Sequence, residues 1–342
     1  MTSIAPHRVE QILGNFESQR IVVIGDLMLD RYVYGTVERI SPEAPVPVVE
    51  VTDERSMPGG AGNVASNIRS LGGAADICAV VGMDAWGEKV LELLHEEGVG
   101  TDPVVRAADS PTTVKTRVIA EHQQVVRVDR EKRSGWSAGV QGKLVEAALG
   151  ALDRSTGVIL EDYGKGVISQ GLVDRVLAKA SASGLVSGLD PKENHSLSAK
   201  GLTVATPNRR EAYLLATGYA PHGTPETPPL EDHELLRATR ILMEKWSPRF
   251  LAVTLGSHGM LVVQPDESRP LHIPTRAREV YDVSGAGDTV IAACVLALAA
   301  GASPVEAAEI ANFAAGVVVG KLGTATCSRA ELLHSVQEQE RG

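Results

Sequence analysis

Short hydrophobic runs alternate with segments of helical period along most of the chain. Short apolar runs have the length of β-strands, whereas apolar positions that recur every third or fourth residue indicate amphipathic helices. Strands are predicted over 20–26, 76–81, 157–161, 185–190, 202–206, 250–255 and 260–263, and helices over 62–71, 85–97, 138–152, 171–183, 232–246, 286–300 and 304–319. This alternation predicts an α/β fold in which a mostly parallel central sheet is flanked by helices on both faces.

Two stretches, 32–51 and 112–129, depart from this alternation because they contain no helix between adjacent apolar runs. They are rich in Val, Thr and Tyr and alternate polar with apolar residues, as strands with one solvated face do. We therefore expect one domain over 1–342 with a small lid of antiparallel strands from about 31–51 and 112–130; an edge of the main sheet is the alternative. Residues 219–230 contain four prolines and are predicted to form a surface loop.

The composition fits a folded protein that needs no disulfide or metal for stability. Of 342 residues, 43% are hydrophobic, and the cysteines Cys78, Cys294 and Cys327 have unrelated spacings. The formal net charge of −10 argues against nucleic-acid partners, which require a basic face. The first 19 residues lack the apolar segment of a signal peptide, and the longest apolar run, 290–300, is too short to span a bilayer. We expect a soluble, cytoplasmic protein without membrane partners.

The segment Asp282-Val-Ser-Gly-Ala-Gly-Asp288 directly precedes a long apolar helical run. Gly285 and Gly287 lie where a loop becomes a helix N-terminus, so that unpaired N–H groups and the helix dipole can hold phosphoryl oxygens. Asp288 in the first helical turn can accept a proton from an attacking hydroxyl as a general base. A first-turn aspartate that only complements the helix dipole is the alternative. The pattern favours phosphoryl transfer to an alcohol.

Five motifs follow one another along the chain in a characteristic order. They are Gly59-Gly-Ala-Gly-Asn-Val-Ala65, Asp190-Pro-Lys192, Thr206-Pro-Asn-Arg-Arg-Glu211, Thr254-Leu-Gly-Ser-His-Gly259 and the Asp282 to Asp288 segment. In this order, and from about Arg20 to Leu332, the sequence resembles the ribokinase-like carbohydrate kinases of the PfkB family. The resemblance implies a ribokinase-like fold and an ATP-dependent phosphotransferase with an alcohol as acceptor. It also implies that Asp288 is the base and that Gly285, Ala286 and Gly287 form the anion hole.

The resemblance implies further site residues. Asn208 and Glu211 are expected to organise the hydration shell of Mg²⁺ on ATP, although an ordinary exposed helix glutamate is the alternative for Glu211. The expected nucleotide-binding residues are Asn208, Glu211, Thr254, Gly256, Gly259 and Asn312. The expected sugar-binding residues are Asp26, Asp30, Gly59, Gly60 and Asn63, with a surface turn as the alternative for Asp30. A monovalent cation such as K⁺ and a homodimer formed through the lid also belong to this expectation.

Four further stretches bear on the substrate. Gly25 to Tyr32, Ile40 to Val48, Pro58 to Ala65 and Glu161-Asp-Tyr-Gly-Lys-Gly166 are similar to the D-glycero-β-D-manno-heptose 7-phosphate kinases. This similarity implies transfer of the γ-phosphoryl group to the C1 hydroxyl, giving heptose 1,7-bisphosphate for lipopolysaccharide core synthesis. Because bifunctional members add an adenylyltransferase domain with a His-x-Gly-His motif, which this sequence lacks, we expect a stand-alone kinase.

A substrate that carries its own phosphate requires cations beside the acceptor pocket. Candidates in the lid and after strand ends are Lys115, Arg117, Arg127, Lys165 and Lys192, together with Asp162 as a sugar ligand. For each cation, an ordinary solvated side chain is the alternative.

Some features of the sequence bear on functions other than heptose 7-phosphate phosphorylation. Gly60-Ala-Gly-Asn-Val-Ala65 matches the dinucleotide fingerprint of dehydrogenases, but the preceding apolar run ends near Val51 instead of leading into the glycines. The sequence has no Gly-x-x-x-x-Gly-Lys-[Ser/Thr] motif, which argues against a P-loop kinase. A kinase for ribose, fructose or tagatose 6-phosphate, and a non-catalytic sugar-binding relative, remain alternatives.

Overall fold

The computed structural model describes residues 4–121, 123–132, 135–221, 227–265, 267, 269–277 and 279–341. The strands are β1 Arg20–Gly25, β2 Leu27–Ile40, β3 Pro47–Gly60, β4 Ala74–Cys78, β5 Val80–Gly82, β6 Val105–Ala107, β7 Thr113–Ala120, β8 Gln123–Arg130, β9 Gly157–Glu161, β10 Val186–Asp190, β11 Val204–Ala205, β12 Phe250–Thr254, β13 Met260–Val263 and β14 Leu271–Ile273. The helices are α1 Pro6–Gly14, α2 Ala61–Ser70, α3 Ala85–Glu96, α4 Ala138–Leu152, α5 Gln170–Ala182, α6 Arg209–Thr217, α7 His233–Trp246, α8 Ala286–Ala299, α9 Pro304–Val318 and α10 Arg329–Arg341. Part of the predicted 219–230 loop, 222–226, lies outside the described residues.

The main sheet has the strand order β14-β13-β12-β11-β10-β9-β1-β4. Its strands from β4 to β12 are parallel, and β13 and β14 join antiparallel at one edge. Along β1, Ile21 and Val23 face the core beneath α2, α8 and α9, whereas Val22 and Ile24 face the core beneath α4, α5 and α7. This period of two with both faces buried is typical of parallel sheets, and it confirms the predicted α/β class with helices on both faces.

A second sheet, in the order β3-β2-β7-β8, forms the lid and contains both segments predicted for it. The prediction of purely antiparallel pairing is wrong, because β2 and β7 pair in parallel and only the β2–β3 and β7–β8 neighbours are antiparallel. The neighbours in sequence are joined by short turns, which require antiparallel strands. The chain between β3 and β7 instead passes through α2 and α3, and such a long crossover allows parallel pairing.

One argument against a dinucleotide-binding function is also wrong. Strand β3 does not end near Val51 but continues to Gly60, directly before α2. However, β3 pairs antiparallel with β2 in the lid sheet and is not a strand of the parallel sheet. The dinucleotide fingerprint requires a parallel βαβ unit. The antiparallel pairing of β3 therefore excludes dinucleotide binding, although the spacing between β3 and the glycines does not.

Helices α1 and α10 and strands β6 and β14 were not predicted, and α1 begins with a proline at its first turn. The predicted strand 76–81 is divided into β4 in the main sheet and β5, which pairs in parallel with β6. Within the part of the chain that the structure describes, no helix has both the length and the apolar composition needed to cross a bilayer.

Candidate active site

The carboxyl ends of β1, β9 and β10 face the beginning of α8. Gly285 precedes this helix with a φ of 78°, a conformation that favours glycine. A Cβ at this position would lie 2.6 Å from Nδ2 of Asn63, so the close approach also requires glycine. The N–H of Ala286 makes a long bond of 3.3 Å to the carbonyl of Val283, whereas that of Gly287 donates to none of the described residues. The helix start therefore offers free amide and dipole charge to an anion.

The carboxylate of Asp288 is the centre of this site. It is 3% exposed and receives hydrogen bonds of 2.7 Å from Asn63 Nδ2 and 2.7 Å from the Tyr163 hydroxyl, one on each oxygen. Burial raises the pKa of Asp288, and the two donors lower it because they stabilise the charged form. Burial and the charge of Asp288 hold the pKa of Tyr163 well above its ordinary value, so its hydroxyl remains a donor.

Asp26 is placed differently from its predicted role as a sugar ligand. Its buried carboxylate accepts the backbone N–H groups of Tyr163 and Lys165 at 3.0 Å and that of Val167 at 3.1 Å. Asp162 similarly accepts from the N–H of Gly164 at 2.9 Å, and its other oxygen pairs with His195. These two carboxylates shape the 162–167 loop, which positions the Tyr163 hydroxyl against Asp288.

The lid face above Asp288 carries a buried ion pair. Asp30 on β2 accepts from Arg117 on β7 at 2.6 Å, so Asp30 is not a surface turn residue. Gly59 and Gly60 end β3 beside it, and a Cβ at Gly59 would collide with the Asp30 carboxylate. The structure thus places Asp30, Gly59, Gly60 and Asn63 close to one another and near Asp288.

The predicted cations divide into two groups. The ammonium groups of Lys115 and Lys192 lie 5.4 Å and 6.0 Å from the ring centroid of Tyr163, and burial lowers the pKa of Lys115. Lys165 instead pairs with Glu131 at 2.6 Å, and Arg127 with its strand neighbour Asp129 at 2.9 Å. Lys115 and Lys192 therefore lie beside the tyrosine that donates to Asp288.

Four of the six predicted nucleotide-binding residues line a cavity of about 290 Å³. Thr254, Gly256, Gly259 and Asn312 contribute to it with apolar neighbours such as Val290, and Ala286 and Gly287 form one end. Asn312 is oriented by a 2.7 Å bond from Nδ2 to the carbonyl of Pro274. A largely apolar cavity that includes the free amide of Gly287 suits a planar base linked to phosphates.

A smaller, polar cavity of about 200 Å³ adjoins it and shares Thr254 and Gly287. Asn208 and Glu211 line this cavity and cap α6, because Asn208 Oδ1 accepts from the Glu211 N–H at 3.0 Å and Glu211 Oε2 accepts from the Asn208 N–H at 2.9 Å. Glu211 is buried rather than an exposed helix residue, and its Oε1 lies 3.9 Å from Lys192 Nζ.

Among the residues of this cavity that were not predicted as site residues are Glu161, Tyr163 and Asp190. Oxygens of Glu161, Asp190 and Asp288 lie within 4.8 Å of one another. Burial and the neighbouring carboxylates raise the pKa of Glu161 and Asp190 well above ordinary values. A signal was present in the sequence, since Glu161 and Asp190 are each the last residue of an apolar run that was predicted to be a strand.

The main sheet, the lid and a buried carboxylate beside a helix N-terminus define the class of ribokinase-like small-molecule kinases. Two solved structures show this fold. Ribokinase from Arabidopsis thaliana, complexed with ribose and ATP, has a TM-score of 0.70 and 20% sequence identity, covering 93% of this chain and 99% of the other. Phosphofructokinase-2 from Escherichia coli, in complex with potassium, has a TM-score of 0.73 and 22% identity, covering 94% and 99%.

Residues 18–331 match the pfkB family carbohydrate kinases, and the chain belongs to this family. The predicted carbohydrate kinase, a phosphotransferase with an alcohol acceptor, is confirmed. Curated relatives include the bifunctional protein HldE of Pelobacter propionicus, 43% identical over 96% of this chain, and that of Methylobacillus flagellatus, 44% identical over 94%. The chain spans 65% and 64% of the length of these two relatives.

Proposed function

We propose that this protein transfers the γ-phosphoryl group of ATP to the C1 hydroxyl of D-glycero-β-D-manno-heptose 7-phosphate. The product is heptose 1,7-bisphosphate, a precursor for the lipopolysaccharide core, and the reaction takes place in the cytoplasm. The similarity to HldE over nearly the whole chain supports this substrate, together with the motifs after β1, β3 and β9. The observation that carries the chemistry is the buried Asp288 carboxylate beside the free amide of Gly287.

In this proposal Asp288 takes the proton from the C1 hydroxyl while the oxygen attacks the γ-phosphorus and the bond to the β-phosphate oxygen breaks. Asn63 and Tyr163 hold the carboxylate in one orientation during the transfer. The amide of Gly287 and the N-terminal dipole of α8 stabilise the charge on the phosphoryl oxygens. Closure of the lid over the sugar excludes water that would otherwise hydrolyse ATP.

The adenosine part of ATP occupies the 290 Å³ cavity with its phosphates directed to Gly285 and Gly287. Mg²⁺ bound to these phosphates would neutralise part of their negative charge. Asn208 and Glu211 line the adjoining polar cavity and would hold this ion there. The potassium complex of E. coli phosphofructokinase-2 motivates a monovalent cation as an activator. Replacing KCl by choline chloride in the activity assay tests whether a monovalent cation activates the enzyme.

The 7-phosphate of the acceptor binds to cationic side chains of the lid. Lys115 has the best position, because it is largely buried and lies near both Tyr163 and Asp30. Arg117 is already paired with Asp30 and adds its remaining donors to the same face of the lid.

The lid also supports a homodimer. Among the residues that the structure describes, β8 pairs only with β7, so its other edge is available to a second strand. Val126 and Val128 on this strand are 47% and 56% exposed. An unpaired edge with exposed valines is stabilised when a second copy covers it.

An acceptor panel tests the proposed substrate. Heptose 7-phosphate, ribose, fructose, fructose 6-phosphate and tagatose 6-phosphate are compared by ADP release in the presence of ATP and Mg²⁺, with kcat/KM measured for each. We expect heptose 7-phosphate to give the highest kcat/KM and the Asp288→Asn variant to lose activity with it. A preference for ribose would overturn the substrate, and full activity of the variant would overturn the mechanism.

A further inference from the structure

A buried asparagine lies one helical turn beyond Asn63. Asn67 on α2 is 0% exposed and contacts polar groups at both ends of its side chain. Its Nδ2 donates to the Asn63 carbonyl at 3.0 Å and to Asn63 Oδ1 at 3.3 Å. Its Oδ1 accepts from the Thr289 hydroxyl at 3.1 Å and from the Cys327 N–H at 3.3 Å. Asn67 therefore connects α2 with the start of α8 and with the segment after α9.

Two backbone groups determine which way the Asn67 amide faces. The carbonyl of Asn63 can only accept a hydrogen bond, and the N–H of Cys327 can only donate one. The Asn67 nitrogen must therefore face Asn63, and its oxygen must face Cys327. A reversed amide would set acceptor against acceptor and donor against donor in the core, which is costly for buried groups.

This orientation is passed on to the side chain of Asn63. Because Asn67 presents a donor, the oxygen of the Asn63 side chain turns to it, and the Asn63 nitrogen is directed to Asp288 Oδ2 at 2.7 Å. A reversed Asn63 amide would place its oxygen against the Asp288 carboxylate, where two acceptors repel. A chain of hydrogen bonds thus runs from the main chain at Cys327 to the catalytic carboxylate.

We propose that Asn67 is a positioning residue, which holds the Asn63 side chain with its nitrogen towards Asp288 and thereby keeps the base oriented for the acceptor hydroxyl. Asn67 is not among the described residues that line the two cavities, so it acts through Asn63. Thr289 supports it from α8, since its hydroxyl lies 3.1 Å from both Asn67 Oδ1 and the Gly285 carbonyl. This role rests on the proposed function of Asp288 as the base.

The loss of Asn67 has a consequence for the protonation of Asp288. Without Asn67, the Asn63 side chain can rotate, and its hydrogen bond to Asp288 is weakened. Because that bond lowers the pKa of Asp288, its weakening raises the pKa, and the base is protonated at a higher pH. The other titratable groups around Asp288 stay in place; they are Asp30, Lys115, Glu161, Tyr163 and Asp190.

The test is the pH profile of kcat/KM for Asn67→Leu, a variant of similar volume without polar atoms, measured with the sugar that the wild type prefers. The acidic limb should move to higher pH, so that kcat/KM falls roughly two- to tenfold on that limb, the equivalent of one hydrogen bond. At alkaline pH the variant should approach the wild type, and its KM for ATP should not change. A loss by the same factor at every pH would show a merely structural role and overturn the proposal.

Ser66→Ala is the matched control on the same helix. Ser66 is buried, and its hydroxyl contacts the Gly62 carbonyl and the Glu97 carboxylate rather than the side chain of Asn63. This variant should lose stability in urea unfolding without a shift of the acidic limb. A shift equal to that of Asn67→Leu would trace the effect to α2 as a whole and contradict the specific role of Asn67.

A second pair of variants decides if Asn67→Leu fails to fold. Thr289→Val removes the hydroxyl that donates to Asn67 Oδ1, whereas Thr289→Ser keeps it. We expect Thr289→Val to move the acidic limb in the same direction by a smaller amount, and Thr289→Ser to retain its wild-type position. An unshifted limb in the folded Asn67→Leu, or in Thr289→Val when Asn67→Leu does not fold, would overturn the proposal.

A direct titration separates this inference from the proposed substrate. The carboxyl carbon of Asp288 is followed by ¹³C NMR in protein labelled at aspartate, and its signal is assigned through Asp288→Asn. This measurement requires neither ATP nor a sugar, and Asn67→Leu should titrate at higher pH than the wild type. A raised Asp288 pKa in a protein that does not phosphorylate heptose 7-phosphate would overturn only the substrate. Kinase activity with an unchanged Asp288 titration would overturn only the role of Asn67.

Discussion

At the scale of single residues, the catalytic carboxylate is defined by two donors that come from distant parts of the chain. Asn63 follows the lid strand β3 and Tyr163 follows β9, and each places one donor on Asp288. Both hydrogen bonds stabilise the charged form against the effect of burial. Burial therefore raises the pKa of Asp288 and the two hydrogen bonds lower it, and a substitution of either donor removes one of these effects.

Replacing Tyr163 by phenylalanine removes one of these donors and keeps the ring beneath Lys115 and Lys192. Because the donor lowers the pKa of Asp288, its loss raises that pKa, and the base is protonated at a higher pH. The acidic limb of the kcat/KM profile should therefore move to higher pH. Tyr213→Phe is the control, since the Tyr213 hydroxyl donates to Asp232 at 2.9 Å, away from this cavity. Identical profiles for wild type and Tyr163→Phe would contradict the positioning role.

Replacing Asp288 by asparagine removes the base. A positioned general base contributes about 10²- to 10⁴-fold in rate, so kcat should fall within that range. Nucleotide affinity should stay within a few-fold, because the 290 Å³ cavity does not involve the Asp288 side chain. Steady-state kinetics and calorimetry with a non-hydrolysable ATP analogue measure the two quantities. A near-normal kcat would assign the proton transfer to another group.

At the scale of elements, the start of α8 combines local and long-range constraints. The helix is apolar on all sides and is buried between the main sheet and α9, so its N-terminus is fixed against β9 and β10. The glycine before it adopts a positive φ and approaches Asn63 closely. The anion-binding end of the helix is thus coupled to the donor that holds Asp288.

Gly285→Ala tests this coupling. A Cβ would meet Asn63 Nδ2 at 2.6 Å and would displace the donor of Asp288, in addition to straining the backbone. Gly301→Ala is the matched control at the other end of α8, because Gly301 has a φ of 92° and no atom within 4 Å of an added Cβ. Both variants should be destabilised by about 1 kcal/mol in urea unfolding. Only Gly285→Ala should lose most of its kcat, and equal kcat in the two would refute the coupling.

At the scale of the whole molecule, the lid sheet stands beside the main sheet, and β8 is an exposed strand at one of its edges. Lys115, Arg117 and Asp30 share the face that is directed towards Asp288, and Val126 and Val128 lie on the opposite face of β8. In the proposed function, the lid binds the acceptor with one face and offers exposed valines on the other.

The proposed dimer predicts a result for the double variant Val126→Lys, Val128→Lys. Light scattering at micromolar concentration should give a dimer for the wild type and a monomer for this variant, because paired lids would bury the added charges. Leu271→Lys is the control, since Leu271 is 38% exposed on β14, the edge strand at the far end of the main sheet. A monomeric wild type would refute the dimer.

The sequence by itself determined the features that depend on local pattern. Alternating apolar runs and helical periods predicted the main sheet and most of its helices, because burial of each element follows its own period. The glycines at 285 and 287 and the acid at 288 predicted the anion-binding helix start, since helix polarity and backbone freedom are properties of a short segment.

The tertiary structure decided which side chains meet. Glu161 and Asp190 become neighbours only through the order and register of β9 and β10, and Tyr163 reaches Asp288 only because Asp26 folds the loop after β9. The parallel pairing of β2 and β7 depends on a crossover that no local pattern reveals. Contacts between residues distant in sequence are fixed by topology and packing, and the charges gathered there set the pKa values of the clustered carboxylates.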